Sequence, residues 1–127
     1  MHCVLSSGFF NFQQMQAAKL TSDDCAFVIS HTGKNRDTMH LVEILKSRGV
    51  PIIALTSFAS SPLAKAADVA LISISEEISF RPEAVASTVS QISLLDALFM
   101  MYGMKMKNVS EGTLSEIRKV IRDSRIS

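Results

Sequence analysis

This chain of 127 residues has little cysteine, almost no net charge and no long uninterrupted hydrophobic run. Its two cysteines, Cys3 and Cys25, are spaced as neither a zinc site nor a redox pair, and both read as reduced thiols in a core. Formal net charge is +1, with acids and bases interspersed. No basic stripe therefore offers the counterion-releasing surface that duplex binding needs, and any DNA contact must come from outside these residues. No signal-peptide pattern occurs, and the longest apolar stretch, residues 94–106, is interrupted by Asp96, Gly103 and Lys105. The expectation is a cytoplasmic protein with no membrane partner. No internal repeat, low-complexity segment or linker is present. With 47% hydrophobic and 20% charged residues, the composition fits one globular domain over 1–127 around a single core.

Four short apolar runs, residues 2–5, 25–29, 51–55 and 69–74, alternate with helical patterns, as in a parallel sheet with crossover helices. Runs 25–29 and 51–55 are apolar at consecutive positions, which predicts strands covered on both faces in the sheet interior. Between them Thr38, Leu41, Val42 and Leu45 fall at i, i+3, i+4, i+7 on one helical face, and Arg48-Gly49 supplies a cation and a terminating glycine. Ser61-Pro62 marks the cap and first turn of a short helix over 63–67.

A longer helix is expected from about Pro82 and Glu83 to about Tyr102. Val85, Val89, Ile92, Leu95 and Phe99 lie on one face, widened by Leu94, Leu98 and Met101. A stripe that wide needs cover beyond the sheet, which predicts a homo-oligomer, a homodimer or homotetramer. The tail over 108–127 reads as an amphipathic helix opened by a capping box, Thr113 with Glu116, and carrying Leu114, Ile117 and Ile121 beside Arg118, Lys119, Arg122 and Arg125.

The chemistry concentrates where the second run breaks off: Ile29-Ser30-His31-Thr32-Gly33-Lys34-Asn35-Arg36-Asp37-Thr38. A strand running into hydroxyls, a glycine and a helix start places backbone N–H groups and a helix N-terminus where a phosphate can sit. That dipole favours an anion by roughly 0.3–1 kcal/mol per charge, and Lys34 and Arg36 add to it. The same residue types also serve as ordinary helix caps and turns.

With Gly49-Val50-Pro51-Ile52-Ile53-Ala54-Leu55-Thr56, Ser61-Pro62-Leu63-Ala64-Lys65-Ala66-Ala67-Asp68 and Leu94-Leu95-Asp96-Ala97-Leu98-Phe99, the loop resembles the sugar isomerase, or SIS, domain. It is most similar to the effector domain of RpiR-type transcription regulators, and the resemblance covers nearly the whole chain. It implies a flavodoxin-like three-layer αβα sandwich with a parallel sheet that binds phosphosugars. In the regulators this domain follows a DNA-binding helix-turn-helix domain. Measured against that pattern the chain starts at the second strand, so the first strand and first phosphate loop are missing, and two sheet edges are expected to be open.

The resemblance maps Ser30, Thr32, Gly33, Lys34 and Asn35 onto the family's phosphate-gripping loop, with Thr38 one turn inside the helix. Asn35 stands where the family usually has threonine. Ser87 maps to a ligand contact, and Thr88 replaces the regulators' usual arginine. His31 is expected to point away from the phosphate, toward solvent or an oligomer face, as a surface or packing histidine, and His40 to be solvated. Asp96 should find a partner or face water. The methionines Met100, Met101, Met104 and Met106 read as packing, so no metal site and no cofactor is implied. The expected function is that of a phosphosugar-sensing effector domain with no catalytic residues. The alternatives are an aldose–ketose isomerase, with Glu83 or His31 as its base, and an assembly module without a ligand.

Overall fold

The computed structural model of the chain describes residues 10–74 and 85–123. In chain order these form α1 (Phe10–Ala17), β1 (Ala26–Ile29), α2 (Arg36–Ser47), β2 (Ile52–Thr56), α3 (Pro62–Ala66), β3 (Val69–Ile72), α4 (Val85–Lys105) and α5 (Lys107–Asp123). The chain divides into two compact units, Met1–Gln91 and Ile92–Ser127. The expected strand over 2–5 and the expected start of the long helix at Pro82 and Glu83 lie outside the described residues, as does Cys3.

The first unit is an α/β fold on a parallel sheet ordered β1-β2-β3. Ala26 pairs with Ile52 and Ile29 with Leu55, while Ile53 pairs with Val69 and Thr56 with Ile72. Two tight connections, each containing a helix, produce this parallel order. Asn35 caps α2, with its side-chain oxygen accepting from the Asp37 and Thr38 N–H groups. Arg48 ends the helix, and Gly49 follows at φ 70°, the left-handed geometry that lets the chain turn back toward β2. Ser61 caps α3, with Pro62 opening it, as the sequence predicts.

One face of the sheet carries the core. Val42 and Leu45 of α2, Leu63 of α3, Ile52 and Ala54 of β2, Val50 and Ala17 are all buried. Ile52, Ala54 and Leu63 are fully inaccessible, and Leu41 packs at the margin. The apolar stripe read for α2 is thus the face that closes on the sheet. β2 is the interior strand expected, but β1 is not. Its burial alternates, leaving Phe27 and Ile29 about half exposed. Among the described residues β1 pairs only with β2, so its far edge and one face lack cover. Cys25 is likewise exposed, contrary to the expectation of a core thiol, because it precedes the ladder, whose first bond runs from the Ala26 N–H to the Pro51 carbonyl.

α4 continues through Asp96, as expected for the long helix, and on past the expected end near Tyr102 to Lys105. With mean hydropathy 1.3 over an 18-residue window, it is long and apolar enough by length and composition to cross a membrane. Within the first unit its buried residues are Ser87 and Gln91, one turn apart, whereas Val85 and Val89 of the expected stripe are exposed.

In the second unit Ile92, Phe99, Met100, Met101 and Met104 are also exposed, and Asp96 faces water. Met106 separates α4 from α5, its N–H still donating to the Tyr102 carbonyl at 2.9 Å. α5 begins at Lys107, so Thr113 lies inside the helix and not at its start. The helix start is fixed by the turn at Met106, and in a helix interior the Thr113–Glu116 spacing is ordinary i,i+3 adjacency.

Candidate functional site

Each strand of the sheet ends in hydroxyls: Ser30 follows β1, Thr56 and Ser57 close β2, and Ser73 follows β3. Parallel pairing brings these carboxyl ends side by side, the position at which open α/β sheets bind ligands. The Ser30 N–H donates to the Leu55 carbonyl, the Ser57 N–H to the His31 carbonyl and the Ser73 N–H to the Thr56 carbonyl, each at 3.0 Å. The Thr56 hydroxyl also donates to the His31 carbonyl at 3.0 Å. The loop after β1 is therefore held from beneath by β2.

Gly33 fixes the shape of that loop. It adopts φ +61°, and a Cβ there would collide with the Ser61 hydroxyl and come within 2.7 Å of Ser61 Cβ. Its carbonyl accepts from the Leu63 N–H at 3.1 Å, so the loop is seated on the first turn of α3. Only glycine combines this backbone angle with this close approach. Ser61 and Thr56, both fully buried, form the floor.

Six of the seven residues predicted to contact ligand share this loop and the helix start it leads into. The Gly33 N–H donates to Ser30 Oγ at 3.3 Å and the Lys34 N–H to Thr32 Oγ1 at 3.4 Å. Both bonds are longer than the usual range, so an incoming oxyanion can replace them at small cost. Asn35 is committed more firmly, its Oδ1 accepting from the Asp37 N–H at 2.8 Å and the Thr38 N–H at 3.2 Å. Its side-chain oxygen serves the helix, which leaves the amide NH₂ as the donor for an anion. Lys34 and Arg36 are exposed and supply positive charge around the loop. Ser87, the seventh, sits on α4 and is 1% exposed.

His31 is partly buried. Its Nδ1 lies 2.9 Å from Ser57 Oγ, and its ring meets Phe58 edge-on with centroids 5.7 Å apart. The side chain thus packs across the carboxyl end of β2. His40 is exposed as expected, with Nδ1 3.7 Å from Glu43 Oε2 and its ring 5.9 Å from that of Phe10. Glu83 lies outside the described residues. Ser57 and Ser73 are not among the residues expected from the sequence; the signal available for them is the hydroxyls at the ends of the apolar runs, Ser57 two positions past 51–55 and Ser73 near the end of 69–74.

The SIS domain family matches residues 8–101. An uncharacterized HTH-type transcriptional regulator of Caldanaerobacter subterraneus is 38% identical over 77% of this chain and 35% of its own length. The HTH-type transcriptional regulator RpiR of Escherichia coli is 32% identical over 71% of this chain and 30% of its own. The chain thus spans about a third of these curated relatives. Among solved structures, Vibrio vulnificus NanR complexed with ManNAc-6P superposes with TM-score 0.77 at 21% identity, over 93% of this chain and 44% of that one. A Listeria monocytogenes protein provisionally named a sugar-phosphate isomerase gives TM-score 0.68 at 30% identity, over 77% of this chain and 52% of that one. The parallel sheet, the seated glycine loop and the match across most of the sequence agree: the chain belongs to the SIS domain family.

Proposed function

We propose that this chain is the phosphosugar-sensing effector part of a transcription regulator, with the phosphate of a sugar or amino sugar held at Ser30, Thr32, Gly33, Lys34, Asn35 and Thr38. Ser87 is a further contact in the same proposal. The observation that carries it is the seating of Gly33 on Ser61, which holds loosely bonded amides and hydroxyls in front of the α2 N-terminus. The names of the relatives as HTH-type regulators and the phosphosugar complex of NanR support it. In this reading DNA is reached only through a helix-turn-helix domain outside these residues, and the chain acts in the cytoplasm as a homodimer or homotetramer. Binding shifts the subunit arrangement by differential affinity for its two states.

The chain senses its ligand and does not turn it over. The naming of its relatives as HTH-type transcriptional regulators supports this part of the reading. Calorimetric titration with N-acetylmannosamine 6-phosphate, arabinose 5-phosphate and glucose 6-phosphate tests the proposal. At least one should bind, Ser30→Ala should weaken it, and no aldose–ketose turnover should appear. Binding by Ser30→Ala equal to that of the unmodified chain removes the site.

A further inference from the structure

Beyond the phosphate loop, a second polar group spans the carboxyl ends of all three strands. Ser57 Oγ lies 2.9 Å from His31 Nδ1 and 3.3 Å from Ser73 Oγ. Ser73 is 3% exposed, whereas His31 and Ser57 are only partly buried. The chain of groups therefore runs from a buried hydroxyl outward to a ring at the surface. Phe58 holds that ring edge-on, and the His31 carbonyl is pinned by both the Thr56 hydroxyl and the Ser57 N–H. Nε2 of His31 has no partner among the described residues.

The protonation pattern of such a chain is reversible. When Ser57 donates to Nδ1, the Nε2–H is a donor; when Nδ1–H donates to Ser57, Nε2 is an acceptor and the Ser57 hydroxyl proton turns to Ser73. A group that both donates and accepts suits a sugar hydroxyl, which also does both. It is a poorer match for the dianionic phosphate of a sugar ester, whose oxygens only accept. It adjoins the anion loop directly, since His31 stands between Ser30 and Thr32 in sequence.

We infer that His31 and Ser57 form the subsite that reads the hydroxyls of the sugar, with Ser73 as the positioning residue that holds Ser57. This rests on the phosphosugar reading above and deepens it: the loop supplies grip and the His31–Ser57–Ser73 chain supplies discrimination between sugars.

The experiment titrates the whole chain and its Ser57→Ala, Ser57→Thr and Ser73→Ala variants with the best-binding phosphosugar of the panel above and with inorganic phosphate. Thermal unfolding of each variant is recorded alongside. Ser57→Ala should reduce the preference for phosphosugar over inorganic phosphate by about tenfold, the worth of one net hydrogen bond. Ser57→Thr, which keeps the hydroxyl, should retain that preference, and Ser73→Ala should fall between. Affinity for the phosphosugar unchanged in Ser57→Ala overturns the inference. So does a parallel loss for both ligands, which is the mark of a merely structural tie between loops. If the unmodified chain binds no phosphosugar, the functional reading itself fails and the subsite goes with it. If it binds but Ser57→Ala discriminates as well, only the subsite is lost.

Discussion

Gly33 and Ser61 are packed so closely that the Ser61 side chain occupies the space a Cβ on Gly33 would need. Ser61 is simultaneously the cap of α3, its hydroxyl accepting from the Ala64 N–H at 3.2 Å. The anion loop after β1 and the helix after β2 are thus built against one another, and the shape of one depends on a residue of the other.

Gly33→Ala should therefore cost both stability and ligand. A left-handed φ alone costs a non-glycine residue roughly 1–2 kcal/mol, and the collision with Ser61 adds to it. Thermal unfolding should move down by roughly 4–8 °C per kcal/mol for a unit of this size. An unchanged unfolding temperature would show that the loop is not held as described.

The dependence on Ser61 can be isolated by a double-mutant cycle. Ser61→Gly removes the obstructing side chain at the cost of a weaker cap, a few tenths of a kcal/mol. In that background Gly33→Ala should cost less than in the unmodified chain, with a coupling of about 0.5–3 kcal/mol. Strict additivity of the two substitutions would place the strain entirely in the backbone angle.

The core beneath the site gives a separate expectation. Leu63 is wholly inaccessible and packs among Val42, Leu45, Ile52 and Ala54. Leu63→Ala should lower stability by about 2–5 kcal/mol in denaturant unfolding. A loss well under 1 kcal/mol would show that the α3 side of the core does not close in solution.

Much of this was readable in the chain because local chemistry and tertiary structure agree there. The α2 stripe, the Arg48-Gly49 stop and the Ser61-Pro62 start each state a local preference that the sheet then uses. Where they diverge, sequence reasoning failed. Phe27 and Ile29 have the composition of a doubly covered strand, yet cover depends on neighbours that composition does not specify. Thr113 and Glu116 have capping-box spacing, but α5 had already begun behind Met106. The hydrogen bond between His31 and Ser57 joins residues 26 apart in sequence, and only the parallel register of β1 and β2 brings them together.

Asn35 allows capping and anion binding to be separated. Its Oδ1 accepts from both the Asp37 and Thr38 N–H groups, so Asn35→Ala should lose the cap at about 1 kcal/mol and weaken ligand binding as the loop frays. Asn35→Asp keeps an equivalent acceptor at the same place and adds a negative charge that the α2 dipole favours by roughly 0.3–1 kcal/mol. Unfolding of that variant should be unchanged or shifted slightly upward. The same charge would stand beside a bound phosphate, and two like charges roughly 5 Å apart at an effective dielectric near 20 repel by about 3 kcal/mol. Phosphosugar affinity should therefore fall by at least about tenfold while the fold is intact, and the loss should shrink at high salt. Calorimetry at low and high ionic strength checks both parts. Affinity equal to that of the unmodified chain would mean that the anion does not sit at the start of α2.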